Sequence, residues 1–177
     1  MQIKGTGWEL FLKRKGEHTR SNRRRTVSDY QVFHDGAAVR GLSGMCLETR
    51  GPGDNSVANN NRCVEAGRYP LLTQAGTKYV TIDYTSNRNP AAIPRPGLEL
   101  GGTNKRTEIL VHPGRGFLSS IGCINPSKPL GGANADIDFQ DSRTRTIAII
   151  DDLRAFLGSR FPRRNGRPIP DAFVVID

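Results

Sequence analysis

The apolar residues of this chain fall mostly in short alternating runs, the pattern of half-buried β-strands. Successive side chains of a strand point to opposite faces, so an apolar residue at every second position marks one buried face. Runs of this kind, together with short runs rich in β-branched residues, occupy seven stretches: residues 8–12, 29–34, 45–49, 68–72, 79–84, 107–111 and 172–176. The last of these is either a final strand or a buried tail. The run at 107–111 is the clearest and ends directly at His112. The pattern therefore predicts a mainly β protein.

One stretch near the C-terminus has helical periodicity. Asp141 or Ser142 is a suitable N-cap, and Gly158 lies where the helix would end. Between them, apolar residues recur at the spacing of one helix face: Ile149, Ile150, Leu153, Phe156 and Leu157. Prolines make residues 86–97 a loop, and no linker divides the chain. We therefore expect one domain over residues 1–177, mainly β with one or two helices.

Length and composition indicate how large the core is, how many turns the chain makes and whether it enters a membrane. The 177 residues suffice to bury a core without disulfides or metal ions, and 20 glycines and 11 prolines favour many turns and short strands. No run of eighteen apolar residues is present, so we predict no membrane insertion. The N-terminal residues lack the apolar stretch and cleavage site of a secretory signal peptide. A chain made in the cytoplasm would then need another delivery route to a substrate outside it.

The net charge of +9 and the isoelectric point of about 10 favour acidic partners, such as nucleic acid, an anionic lipid surface or an acidic cell-wall polymer. Much of the positive charge lies in two clusters: Lys13, Arg14, Lys15, Arg20, Arg23, Arg24 and Arg25, then Arg160, Arg163, Arg164 and Arg167. Solvated loops account for both clusters. Neither cluster is interleaved with aromatic residues as a base-stacking surface would be, so nucleic acid is not the partner that we expect.

The three cysteines leave two arrangements open. Cys46 and Cys63 flank a loop rich in Gly, Asn and Asp, and a disulfide between them would leave Cys123 as the single free thiol. Alternatively, Cys46 and Cys63 are small buried hydrophobic residues. His18 and His34 have no metal-like spacing with a cysteine or a carboxylate. We therefore predict neither a metal ion nor a cofactor.

The segment after the clearest strand contains the groups that a cysteine nucleophile needs. A thiolate attacks, but a free thiol is mostly protonated at neutral pH and requires an adjacent base. His112 lies at a strand end, eleven residues before Cys123, and the residues between them have loop composition. Gly122 allows a close approach of the backbone, and nearby backbone N–H groups could stabilise an oxyanion. The residues therefore predict Cys123 as nucleophile and His112 as base of an acyl-transfer enzyme.

The run SIGCIN at residues 120–125, preceded by a strand-ending His112, resembles the catalytic motif of the L,D-transpeptidases. In that family a His is followed by Ser or Thr, usually a second His, then Gly, the catalytic Cys, an apolar residue and Asn or Arg. Ile121 stands where the second His is usual, and the interval from His112 to Cys123 is shorter than in the housekeeping enzymes. This compact interval is similar to that of L,D-transpeptidase-related antibacterial effectors of type VI secretion systems. Residues 45–130 also resemble a small domain family of phage and bacterial proteins.

The resemblance implies a β-sandwich or small barrel with a C-terminal helix and a reaction on peptidoglycan stem peptides. Cys123 would attack the carbonyl at the L-centre of the third-position diamino acid and release the terminal D-alanine, with His112 as general base and then acid. In this family a backbone carbonyl often orients the His. An amine of another stem, a free D-amino acid or water would resolve the acyl-enzyme. An effector of this kind would act in the periplasm of a target cell, with an immunity protein and a secretion-machine component as partners.

Several further residues are candidates for substrate binding, namely Ser119, Ser120, Asn125, Arg115 and Tyr84. The serines offer hydroxyls, Arg115 could bind a stem-peptide carboxylate, and Tyr84 could line the cleft. Turn formation, solvation and cross-strand packing explain the same residues without a role in the site. Two other functions stay open: a cysteine hydrolase of another amide bond, and a non-catalytic basic module that binds cell wall or nucleic acid.

Overall fold

Three long strands at the start of the chain fold back on one another and begin an eight-stranded sheet. The computed structural model describes residues 2–177. The elements within these residues are β1 (Trp8–Arg20), β2 (Arg23–His34), β3 (Ala37–Thr49), β4 (Gly67–Thr73), β5 (Tyr79–Val80), β6 (Arg95–Pro96), β7 (Leu98–Leu100), β8 (Leu110–Val111), β9 (Asn125–Ser127), α1 (Phe139–Leu157), a 3₁₀ turn (Gly158–Arg160) and β10 (Pro168–Ile176). Strands β5 and β6 pair with each other, and the others form one sheet in the order β8-β7-β4-β10-β1-β2-β3-β9.

The first and last strands lie side by side in the middle of the sheet. Strand β10 runs parallel to β1 on one side and antiparallel to β4 on the other. Helix α1 buries one apolar face in the same core as these strands, with Ile149 and Leu153 packed in a cluster that includes Trp8 and Val174. This shared core fixes α1 against the sheet, because separating them would expose the apolar side chains that both contribute to it.

The two edges of the sheet meet at a short parallel contact. Val111 of β8 pairs with Ile124, the residue before β9. The Ile124 N–H donates to the Leu110 carbonyl at 2.7 Å, and the His112 N–H donates to the Ile124 carbonyl at 3.0 Å. We call these two paired segments, residues 110–112 and 123–125, the seam. The seam nearly closes the sheet into a barrel, and it contains the predicted base and nucleophile.

The predicted mainly β fold with a C-terminal helix is confirmed. Each of the seven predicted runs overlaps a strand. The runs at 79–84 and 107–111 give shorter strands than predicted, because Asp83 and Glu108 have positive φ angles of 63° and 55°, which interrupt extended backbone.

The predicted helix start is wrong by a few residues, whereas the predicted end is right. Asp138 is the N-cap, and its carboxylate accepts a hydrogen bond from the Asp141 N–H at 2.7 Å. Asp141 and Ser142 therefore lie inside the first turn, where the negative charge of Asp141 favours the helix N-terminus. Gly158, with φ of 55°, ends α1 as predicted.

Basic residues 13–25 lie on β1 and β2 and on the turn between them. Arg25 is fully buried, and its guanidinium donates to the Phe117 carbonyl at 2.9 Å. The same guanidinium lies over the Phe117 ring, 4.4 Å from the centroid. The interpretation of this cluster as a solvated loop is therefore wrong for Arg25, which fastens the loop after His112 to the β1–β2 hairpin.

The thiols of Cys46 and Cys63 are free and buried. Cys46 lies opposite Ser28 in the register of β2 and β3, whereas Cys63 lies in the loop between β3 and β4, where its N–H donates to the Arg50 carbonyl at 3.0 Å. Burial raises the pKa of both thiols, that of Cys63 to about 11. The structure therefore does not form the disulfide considered from the sequence, and both cysteines serve as small core residues.

Candidate active site

The seam places His112 and Cys123 on the same face of two adjacent strands. Because Val111 pairs with Ile124, Leu110 lies beside Cys123 and His112 lies beside Asn125. Val111 and Ile124 are fully buried in the core, so their neighbours in sequence point to the opposite face. The strand spacing and rise place the Cα atoms of His112 and Cys123 about 8 Å apart on the diagonal, a distance that an imidazole side chain can bridge.

The surroundings of His112 fix its tautomer. Its Nδ1 lies 2.8 Å from the Pro113 carbonyl, and a carbonyl oxygen only accepts hydrogen bonds, so Nδ1 carries the proton. Nε2 therefore keeps a lone pair, as a general base requires. The ring stacks on Tyr79 with centroids 4.3 Å apart, and the Asn125 side-chain amide donates to the His112 carbonyl at 2.9 Å. Burial lowers the pKa of His112 to about 4, so the imidazole is neutral at pH 7.

The Cys123 thiol is half-buried and neutral. Its Sγ accepts from the Leu110 N–H at 3.4 Å and donates to the Glu108 carbonyl at 3.5 Å. Within residues 2–177 these are its hydrogen-bond partners, and the His112 imidazole is not among them. Burial raises the pKa of the thiol to about 11. At rest the pair therefore consists of a thiol and an uncharged imidazole, and the proton has to move during attack.

The turn before Cys123 is held by an arginine that the sequence analysis missed. Arg106 is buried, and its guanidinium donates to the carbonyls of Cys63 at 2.9 Å and Ile121 at 3.0 Å. Gly122 packs directly against it with φ of 127°, and a Cβ at this position would lie 1.8 Å from Nη2 of Arg106. Glycine is therefore required at position 122 for two reasons: a side chain would collide with Arg106, and the backbone φ is one that side chains rarely adopt. No local sequence signal links Arg106 to a turn fifteen residues later.

Two cavities meet at Cys123. The first, of about 300 Å³, is bounded by Gln74 and residues 76–79 on one wall and by Leu110, His112 and Cys123 on the other. The second, of about 200 Å³, also contains Cys123 and Glu108 and extends to Arg106 and Ile121. A nucleophile at such a junction has room for substrate on both sides of a scissile bond.

Of the other predicted site residues, Ser120 and Asn125 contact the backbone of Cys123 and His112, whereas Arg115 and Ser119 line neither of the cavities that contain Cys123. The Ser120 hydroxyl donates to the Cys123 carbonyl at 2.8 Å, so it braces the turn. Asn125 holds the backbone of His112, as described above. Arg115 is exposed near Tyr79, where its positive charge favours the ionised phenol. Ser119 faces a different cavity, described below.

The aromatic residue that lines the cleft is Tyr79 and not Tyr84, the residue predicted from the sequence. Tyr84 lines a separate cavity together with Arg154 and Phe161. Tyr79 takes the expected place, since it stacks on His112 and lines the cavity that contains Cys123. The Tyr79 hydroxyl accepts a hydrogen bond from Arg95 at 3.2 Å, which fixes the ring against the imidazole.

The described part of the chain contains no group of three or more His, Cys, Asp or Glu side chains arranged to hold a metal ion. It also contains no helix long and apolar enough to cross a membrane.

The neutral thiol leads to a prediction for its alkylation. With a pKa of about 11, Cys123 has a thiolate fraction at pH 7 far below that of an ordinary cysteine, so iodoacetamide should modify it about a hundredfold more slowly than a cysteine in an unfolded peptide. The rate should rise about tenfold per pH unit until the pH approaches 11. Peptide mapping by mass spectrometry would assign the modified cysteine. Rapid alkylation of Cys123 at pH 7 would instead reveal a resting thiolate–imidazolium pair.

No family model matches this chain, and no curated protein and no solved structure shows significant similarity to it. Its function has to be inferred from the chemistry of the seam.

Proposed function

We propose that this protein is a cysteine acyl-transfer enzyme that acts on peptidoglycan stem peptides, as an L,D-transpeptidase or L,D-carboxypeptidase. One observation carries the proposal. A histidine whose Nδ1 proton is donated to a backbone carbonyl, and whose Nε2 is free, lies on the same strand face as a cysteine at the junction of two cavities. This arrangement supplies a base, a nucleophile and room for an acyl donor. The substrate class comes from the resemblance of residues 112–125 to the L,D-transpeptidase motif.

In the proposed acylation, Sγ of Cys123 attacks the carbonyl at the L-centre of the diamino acid. The S–H bond breaks, its proton passes to Nε2 of His112, and the carbonyl π electrons move to oxygen. Collapse of the tetrahedral intermediate breaks the C–N bond, and the amine of D-alanine leaves with the proton from Nε2. The Pro113 carbonyl stabilises the imidazolium through Nδ1–H, the role that a carboxylate has in other triads.

The oxyanion needs donors close to Cys123. The backbone N–H groups of Gly122 and Cys123 donate to no group of residues 2–177, and we assign them as the donors to the developing negative charge. Arg106 adds positive charge behind the turn, and its field favours the thiolate form of Cys123. These N–H groups and Arg106 would therefore stabilise the thiolate and the oxyanion, negative charges that form only during the reaction.

The acyl acceptor decides the biological outcome. The amine of a second stem would give a 3,3 cross-link, a free D-amino acid would give an exchanged terminus, and water would give a tripeptide. A role as an antibacterial effector delivered by a type VI secretion system depends on the compact interval between His112 and Cys123, and it stays a prediction.

The direct test is to incubate the protein with purified tetrapeptide muropeptides and weigh both the products and the intact protein. We expect muropeptides that have lost D-alanine, and a fraction of the protein heavier by the tripeptide acyl group, with its attached sugar, on Cys123. The Cys123→Ala protein is the matched control and should show neither change. If tetrapeptides stay intact while a panel of other amides is cleaved, the protein is a cysteine hydrolase of a different substrate. Binding to sacculi without any product would favour the non-catalytic module.

A further inference from the structure

A third cavity, larger than the two at Cys123, lies beside the catalytic turn. Its volume is about 470 Å³, and it opens where the β1–β2 hairpin turns and β3 ends. One wall carries Arg23, Arg24 and Arg50, and residues 118–121 form the other. We call it the arginine cavity. Asn22, Thr49 and Asn61 complete its lining, which contains no acidic residue.

The positive charge of the arginine cavity is only partly balanced. Arg24 contacts Glu17 at 3.4 Å, with the Arg24 side chain 47% and the Glu17 side chain 30% exposed, so screening by solvent keeps the contribution of this pair small. Arg23 donates to the Leu118 carbonyl at 3.1 Å, which fixes its direction without neutralising it. Arg50 is exposed and has no ion-pair or hydrogen-bond partner among the side chains of residues 2–177. Three arginines in the lining of a polar cavity are the composition that favours an oxyanion ligand.

The arginine cavity is connected to the nucleophile through the catalytic turn. Ile121 lines both the arginine cavity and the cavity that contains Arg106 and Cys123. Its side chain is 64% exposed, although it is a large apolar residue. Ser120 also lines the arginine cavity, and its hydroxyl is bonded to the Cys123 carbonyl. A ligand that lies over Ile121 would therefore reach from the guanidinium groups to the thiol.

We propose that the arginine cavity binds a free carboxylate of the acyl donor, so that the enzyme selects stem peptides that carry this carboxylate over amidated ones. This assignment rests on the proposed function, because a stem peptide carries carboxylates on its glutamate and diamino-acid residues within a few residues of the scissile bond. The guanidinium fork matches a planar carboxylate with two parallel hydrogen bonds, which an amide group cannot accept in the same way. Ile121 then supports the apolar part of the same peptide.

The test compares tetrapeptides amidated at one carboxylate at a time with the unmodified tetrapeptide. Binding is measured by calorimetry on the Cys123→Ala protein, which cannot turn the peptide over. We expect amidation of one carboxylate to raise Kd about tenfold or more, the usual effect of losing a charge-assisted hydrogen bond. Arg23→Gln and Arg50→Gln should each raise Kd about tenfold for the unmodified peptide and leave the amidated peptide unchanged. In the active protein the same substitutions should raise KM with kcat nearly constant.

A matched control separates local recognition from overall charge. Arg164→Gln removes the same charge from the second basic cluster, far along the chain from the arginine cavity, and should leave Kd unchanged. If the three arginine substitutions weaken binding equally, the effect is general electrostatics and the proposal is overturned. If product forms but neither amidation nor the substitutions alter Kd or KM, the carboxylate site is wrong and the proposed function stands. If no stem peptide reacts but the carboxylate-dependent binding persists, the site stands and the proposed reaction is wrong.

Discussion

Replacing Cys123 or His112 by alanine should lower the rate of D-alanine release at least about a thousandfold. Without the thiol, no acyl-enzyme forms. Without the imidazole, the thiol keeps its proton, because its pKa is raised to about 11 and Leu110 and Glu108 are its remaining partners. In the proposed reaction, the resting neutral pair makes the rate more dependent on His112 than in an enzyme that already holds a thiolate. Release of D-alanine, followed by mass spectrometry, gives the rates.

The double variant and a fold control make this prediction specific. Because the two groups act in one step, the protein lacking both should be no slower than either single variant. The Cys123→Ala protein should unfold at nearly the same urea concentration as the wild type, because the substitution is small. His112→Ala removes a buried ring that packs on Tyr79, so we expect it to lose about 2 kcal/mol of unfolding free energy as well. Activity above one tenth of wild type in a folded Cys123→Ala protein contradicts the proposed chemistry.

The parts of the structure that could be predicted are those with a local cause. The β-branched run before His112 predicted the strand of the seam, and helical spacing from Ile149 to Leu157 predicted α1. Gly122 beside Cys123 indicates a tight turn from the sequence alone. In each case neighbouring residues contain the information, because strand and helix periodicities are properties of short segments.

The parts that could not be predicted depend on contacts between distant segments. Arg106 and Arg25 look like solvated charges in the sequence, and only the folded chain brings their guanidinium groups to the carbonyls near Cys123 and Phe117. A strand over residues 79–84 would put Tyr79 and Tyr84 on opposite faces, because they are five residues apart, but the pattern does not say which of them meets His112. Strand β9, only three residues long and containing a proline, leaves no periodicity from which closure of the sheet could be inferred.

These long-range contacts explain why the loop between base and nucleophile can be so short. Arg25 holds the loop at Phe117, Arg106 holds it at Ile121, and Asn125 ties the far strand to His112. The loop therefore has both ends in the seam, and arginine side chains from elsewhere in the chain hold it at Phe117, Leu118 and Ile121. A loop restrained in this way loses little further entropy when substrate binds, which favours preorganised chemistry.

Gly122→Ala should be the most damaging single substitution outside the proposed catalytic pair, His112 and Cys123. The new Cβ would lie 1.8 Å from Nη2 of Arg106, and the backbone φ of 127° is one that side chains rarely adopt. Either Arg106 leaves the carbonyls of Cys63 and Ile121 unpaired, or the turn moves and takes Cys123 with it. Lost hydrogen bonds of a buried guanidinium and backbone strain together predict a loss of about 3 kcal/mol of unfolding free energy. Activity should fall at least about a hundredfold, because small displacements of a nucleophile have large effects on rate.

Gly116→Ala is the matched control, since it lies in the same loop with a positive φ of 69° but has nothing within 4 Å of the new Cβ. It isolates backbone strain and should cost about 1 kcal/mol with activity close to wild type. Urea unfolding and D-alanine release on both proteins give the comparison. In the double variant Gly122→Ala with Arg106→Ala, the clash is gone but both carbonyls stay unpaired, so activity should not return. If Gly122→Ala were as mild as Gly116→Ala in both measurements, Arg106 would not hold the catalytic turn.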